Sequence, residues 1–97
     1  ADVAVVEHYR RAAHTAATGS PAAAVDAYRA LAGLAPQSAD VWLQLASAAV
    51  RAERHDIALE SFQHAIELLP ASAVGYLGAA SAQLRLRRFD DARALAQ

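Results

Sequence analysis

The chain has 97 residues, a net charge of −1, 56% apolar residues and no cysteine. That length allows one small domain and excludes two, and the missing thiols exclude a disulfide scaffold and thiolate zinc sites. The near-neutral charge argues against a general nucleic-acid binder, and the apolar content against disorder.

Of the apolar residues, 28 are alanine and only 26 are large: eleven Leu, seven Val, three Tyr, two Ile, two Phe and one Trp. So few large side chains cannot fill one thick core. They can fill thin layers between close-packed helices, because alanine favours helix and lets helix axes approach. No apolar run nears the length of a membrane span, and no basic segment precedes the short Val3–Val6 run, so no signal peptide is expected. The chain does not begin with Met, so it reads as a piece of a longer or processed chain. All nine basic residues are arginine, and Lys and Asn are absent. With the alanine excess, that bias points to a GC-rich, bacterial coding genome. The expected localisation is soluble, with the cytoplasm favoured and a periplasmic setting compatible.

The predicted elements follow the punctuation. Residues 3–17 carry apolar residues at a helical period. Gly19-Ser20-Pro21 is then a turn, with Ser20 as N-cap and Pro21 at the first helical position. A second helix covers 21–34 and stops before Pro36. Ser38 caps a third, about 39–52. A short turn at Glu53–His55 leads to a fourth, about 56–68, with Asp56 favourable in its first turn. Pro70 stops it, Ser72 caps a fifth at about 73–86, and Asp90-Asp91 open a sixth. No segment reads as a strand. Short connections make neighbouring helices antiparallel.

A 34-residue offset aligns the chain with itself at 16 of 63 pairs. With this much alanine, composition alone supplies roughly half of that, so the positions matter more than the count. Pro36 recurs as Pro70, and Ser38-Ala39 as Ser72-Ala73. Ala12, Ala46 and Ala80 form one ladder, and Ala24, Ala58 and Ala92 another. Tyr28 is matched by Phe62, and Trp42 by Tyr76. Leu43, Ser47, Arg51, Arg54 and Asp56 recur as Leu77, Ser81, Arg85, Arg88 and Asp90.

The middle copy carries Trp42, Leu45 and Ala46 in the pattern W-x2-L-G, with Ala in the Gly place, and then Ala58, Phe62, Ala65 and Pro70. The chain therefore resembles the tetratricopeptide repeat family over nearly its whole length, with repeats at about 5–38, 39–72 and 73–97. The first copy has His8 in the Trp place, where a half-buried filler is expected, and Ala49 stands where the family usually has Tyr. The third copy ends before its second helix is complete. The resemblance implies an all-α, right-handed superhelix (solenoid) of three antiparallel helix-turn-helix hairpins. Ala46 and Ala58 would sit where paired helices cross, with Trp42 and Phe62 filling the gaps. One pair cannot bury its apolar face alone, so the pairs must stack.

In this family the first helix of each pair lines a concave face that binds other proteins. Carried onto this chain, that face holds Val6, Tyr9, Arg10 and Ala13, then Asp40, Leu43, Gln44, Ser47 and Arg51, then Val74, Leu77, Gly78, Ser81 and Arg85. Apolar Tyr9, Leu43 and Leu77 alternate with cationic Arg10, Arg51 and Arg85 and polar Gln44, Ser47 and Ser81, a mixture suited to a peptide with apolar anchors and acidic groups. The alternative is that Leu43 and Leu77 pack between helices and the rest is solvated. Relatives that clamp chaperone tails use Lys and Asn, which this chain lacks, so that activity does not carry over.

Arg51, Arg54, Arg85, Arg87 and Arg88 would align along one edge if the repeats stack, and such a ridge could attract an acidic partner. Nearby Glu53, Asp56, Asp90 and Asp91 favour a self-compensated edge instead. Glu60, His64 and Glu67 share a helix face, but such triples are common on helix surfaces and no metal is expected. His14 and His55 show no partner pattern. No phosphate loop, nucleophile elbow or zincin motif is present, so a non-enzymatic module without a cofactor is expected. An unfinished third pair would leave Phe89 and Leu95 near an uncovered face, which makes self-association as a scaffold the competing reading. A regulatory or targeting appendage of a larger enzyme is a third.

Overall fold

A computed structural model describes residues 3–96, without the side chains of residues 91, 92, 95 and 96. Five helices succeed one another: α1 (Val3–Thr18), α2 (Pro21–Leu34), α3 (Ala39–Arg51), α4 (His55–Leu68) and α5 (Ala73–Ala96). Among the described residues there is no strand.

The first four helices begin and end where the punctuation places them. The Ser20 hydroxyl accepts the Ala23 N–H at 3.1 Å with Pro21 opening α2. The Ser38 hydroxyl accepts the Val41 N–H at 3.4 Å. Each satisfies a donor that a helix start leaves unpaired. The α3–α4 turn is tighter. Glu53 takes φ 58°, the left-handed region. The Arg54 N–H then reaches the Ala49 carbonyl at 2.8 Å and the Glu53 N–H reaches Val50 at 3.1 Å. This crossed pair is the Schellman closure, with glutamate in the place glycine usually takes.

Packing follows chain order: α1 on α2, α2 on α3, α3 on α4, α4 on α5, with α3 also meeting α5. The small residues lie where the helices touch. Ala12, Ala46 and Ala58 are 0% exposed and Ala24 1%, and more than half of the buried apolar side chains among the described residues are alanine. Trp42 is half-buried; its ring stacks on His64 with centroids 4.0 Å apart, and its indole N–H donates to the Pro36 carbonyl at 2.9 Å. Phe62 is buried against α5, where Gly78 makes room: a methyl on Gly78 would fall within the Phe62 ring, on Cδ1, Cε1 and Cζ. One turn earlier, a methyl on Gly75 would come within 2.9 Å of Ile66 Cγ1. Two glycines thus bring α5 onto α4.

The radius of gyration is 14.2 Å and the extents are 50 × 32 × 18 Å. A compact globule of this length would have a radius of about 12.5 Å. The molecule is a slab whose core is spread between layers.

The expected sixth helix and third hairpin are not formed, because α5 runs unbroken for 24 residues through the predicted turn. Arg87, the counterpart of Glu53, would have to enter the left-handed region, which costs a non-glycine residue about 1–2 kcal/mol. At Glu53 the closing hydrogen bonds and the packing of α4 offset that cost. At Arg87 nothing does, and Ala, Leu and Arg favour continuing the helix. The consequence reaches Ala80: the expected crossing position is exposed, and Ala79 and Ala82 are buried instead, facing α4. Tyr76 is likewise exposed where Trp42 is half-buried. His8 is exposed rather than half-buried. The residue answering to its would-be stacking partner His64 is Ala30, too small to cover a ring.

Candidate binding surface

The odd-numbered helices are neighbours. The Tyr9 hydroxyl on α1 donates to the Asp40 carboxylate on α3 at 2.7 Å, and α3 meets α5. The carboxylate pushes the Tyr9 phenol up to about 12, through the hydrogen bond first and then through burial and its negative charge. Behind it, burial raises the buried Tyr28 phenol, opposed by the Arg51 guanidinium and aided by Asp40. Tyr9, Asp40, Tyr28 and Arg51 therefore form one electrostatic neighbourhood linking α1, α2 and α3.

The expected groove residues are only partly brought together. Val5, Val6, Tyr9, Arg10 and Ala13 line one shallow, open depression on α1. Arg10 is exposed and lies 3.7 Å from Glu7, a surface pair of little energetic weight. Leu43 is half-buried against the core, with Gln44 half-buried beside it, so Leu43 behaves as packing rather than as an anchor. Ser47, Arg51, Ser81 and Arg85 are exposed. Leu77 is 71% exposed, with Val74 also uncovered. Gly78 does not face open solvent; it is occupied by the Phe62 ring.

Of the five arginines expected along one edge, Arg54, Arg85 and Arg88 line two separate clefts, and Arg51 and Arg87 are exposed outside both. Arg54 lies 3.4 Å from Asp56 and lines one cleft with Asp26, Arg29 and Ile57. Partial burial opposes ionisation of Asp56, but hydrogen bonds from Arg54 and from the Ile57 N–H outweigh it and lower its pKa. Arg85 and Arg88 line the other cleft with Glu53, His55 and Phe89. His55 belongs to the interior: it is 5% exposed and its ring stacks on Phe89 at 5.9 Å. Sequence reasoning found no partner for His55, yet a signal existed, because Phe89 is its counterpart 34 residues on. Leu95, the other residue expected at an uncovered face, lies outside the described side chains.

Among the described residues no group of three His, Asp or Glu side chains is placed to hold a metal ion; His64, the centre of the expected triple, is stacked under Trp42. A third cleft, between α2, α3 and α4, is bounded by Arg29, Gly33, Trp42, Glu60 and Ser61. The Ser61 hydroxyl within it is satisfied by the Ile57 carbonyl at 2.8 Å. Among the described residues no helix is long and apolar enough to cross a membrane. No family model and no curated protein matches the chain.

Proposed function

We propose that this chain is a non-catalytic interaction module of tetratricopeptide-repeat type, a right-handed superhelix whose first-helix face binds a peptide or a segment of a partner protein. The observation that carries the reading is the Tyr9–Asp40 hydrogen bond, which sets α1 beside α3. It lies next to the apolar depression at Val6 and Ala13 and on the same register as exposed Leu77. A surface with separated apolar anchors and the exposed cations Arg10, Arg51 and Arg85 suits a peptide with apolar and acidic residues. The slab shape and the buried pairs Ala12 with Ala46 and Ala24 with Ala58, one repeat apart, agree with stacked helical hairpins.

The test is selection of peptides from a displayed library on the whole chain, followed by affinity measurement on Leu77→Ala with Ala13→Arg. Both positions are exposed, so circular dichroism should be unchanged while selected peptides lose binding. Peptides that bind the double variant as well as the parent would remove this face from the reading.

A second reading is a self-associating scaffold. One observation favours it: α5 is covered by α4 on one side and leaves Val74, Tyr76, Leu77, Leu84 and Phe89 exposed. Sedimentation over a hundredfold concentration range distinguishes the two. A constant monomer mass removes the scaffold, whereas a dimer abolished by Leu84→Glu with Tyr76→Glu supports it.

A further inference from the structure

We propose that the cleft between the α3–α4 turn and the C-terminal half of α5 is a binding site for a monocarboxylate with an apolar stem, held by Arg85 and Arg88. This site shares Arg85 with the groove of the proposed function but does not rest on that reading, and Arg88→Gln, outside that groove, tests the site separately. Its volume is about 250 Å³, below the usual range for cofactor pockets, about 300–1,000 Å³. A ligand of side-chain size fits it; a nucleotide does not.

Three observations define the chemistry. Arg85 and Arg88 are three residues apart on one helix, so they project to the same side, and neither has an acidic partner within ion-pair distance among the described residues. Arg54, one repeat before Arg88, is by contrast engaged by Asp56. Two guanidinium forks on one wall suit the planar, two-oxygen geometry of a carboxylate. Second, Glu53 lines the same cleft. Two cations and one anion leave a single positive charge, which a monoanion neutralises and a phosphate dianion would exceed. Third, the remaining wall is aromatic: Phe89, 54% exposed, lies over the His55 ring. His55 is itself buried and backs this wall.

The experiment titrates sodium 3-phenylpropanoate into the whole chain labelled with ¹⁵N, following the arginine Nε–H signals and the His55 ring. We expect saturable shifts at Arg85, Arg88 and His55 in the millimolar range. Arg85→Gln and Arg88→Gln should each weaken binding about tenfold, the effect of losing a charge-assisted hydrogen bond, and Arg54→Gln should leave it unchanged. Neutral 3-phenylpropanamide should not bind. N-acetylphenylalanine tests the source: tighter binding than the simple acid assigns the site to a peptide chain end, weaker binding to a free acid, and either supports the carboxylate. Inorganic phosphate binding as tightly as the acid, equal binding by the amide, shifts that do not saturate, or no loss in both arginine variants would overturn the proposal. All three substitutions are at exposed positions, so folding is not at risk.

Discussion

Replacing Gly78 with alanine sets two well-known effects against each other. Helix propensity alone favours Gly78→Ala by about 0.8–1 kcal/mol, since the site lies well inside α5. The geometry opposes it. The new methyl would occupy the space of three Phe62 ring carbons. Phe62 is itself buried, so its ring can move only by displacing neighbours. Overpacking of this kind costs about 1–3 kcal/mol. The net expectation is destabilisation by about 1 kcal/mol, or a fall in Tm of roughly 4–8 °C for a domain of this size. Gly33→Ala is the matched control: it lies in the last turn of α2 with nothing within 4 Å of the added methyl. It should be neutral to stabilising, by up to about 1 kcal/mol. Thermal unfolding by circular dichroism reads both. A third variant fixes the cause: in a Phe62→Leu background the ring is gone, and Gly78→Ala should become neutral or stabilising, a coupling of about 1–3 kcal/mol between touching residues. If Gly78→Ala raises Tm as much as Gly33→Ala, the close approach of α5 to α4 is wrong.

Other substitutions probe separate links. Tyr9→Phe removes the hydroxyl bound to Asp40 and should cost about 0.5–1.5 kcal/mol, with Asp40→Ala adding little in the double variant because the two share one bond. The raised Tyr9 phenol has a sign that can be checked. Its folded pKa of about 12 lies above the ordinary 10.0, so its stabilisation is complete below pH 10 and is lost as pH rises toward 12; ultraviolet titration should show Tyr9 and Tyr28 ionising late, with Tyr9 shifting back in Asp40→Ala. Glu53→Gly relieves a left-handed glutamate and should stabilise by about 1 kcal/mol in denaturant unfolding, whereas a loss would mean the Schellman turn is not formed. Trp42→Phe keeps a ring over His64 but loses the bond to the Pro36 carbonyl, so a modest fall in stability of about 1 kcal/mol is expected.

The helices α1 to α4 were legible because serine, proline and small-residue spacing mark their ends and contacts directly. Ser20, Pro21, Ser38 and the two alanine series through Ala46 and through Ala58 need no knowledge of distant packing. The third pair was not legible by the same means. Repeat offset equates Arg87 with Glu53, but whether the chain turns there depends on whether a following helix has a surface to return to, and no local residue encodes that. The surface shows the same division. The family resemblance puts Tyr9 and Asp40 on one face, but their bond joins residues 31 apart and depends on the separation of α1 and α3. His55 was missed because its burial arises from Phe89 folding over it, a contact carried by the very continuation of α5 that the repeat pattern did not anticipate.

The unbroken α5 also sets how the molecule breathes. Its first half is held by Gly75, Gly78, Ala79 and Ala82 against α4. Beyond Ala82, the ring of Phe89 reaches back onto His55. Opening should therefore proceed from the C-terminal end inward, with Phe89 as a latch, and amide hydrogens after residue 89 should exchange far faster than those near residue 79. Cutting the latch by Phe89→Ala should move the boundary between slow and fast exchange back toward Ala82 without changing exchange in α2 or α3.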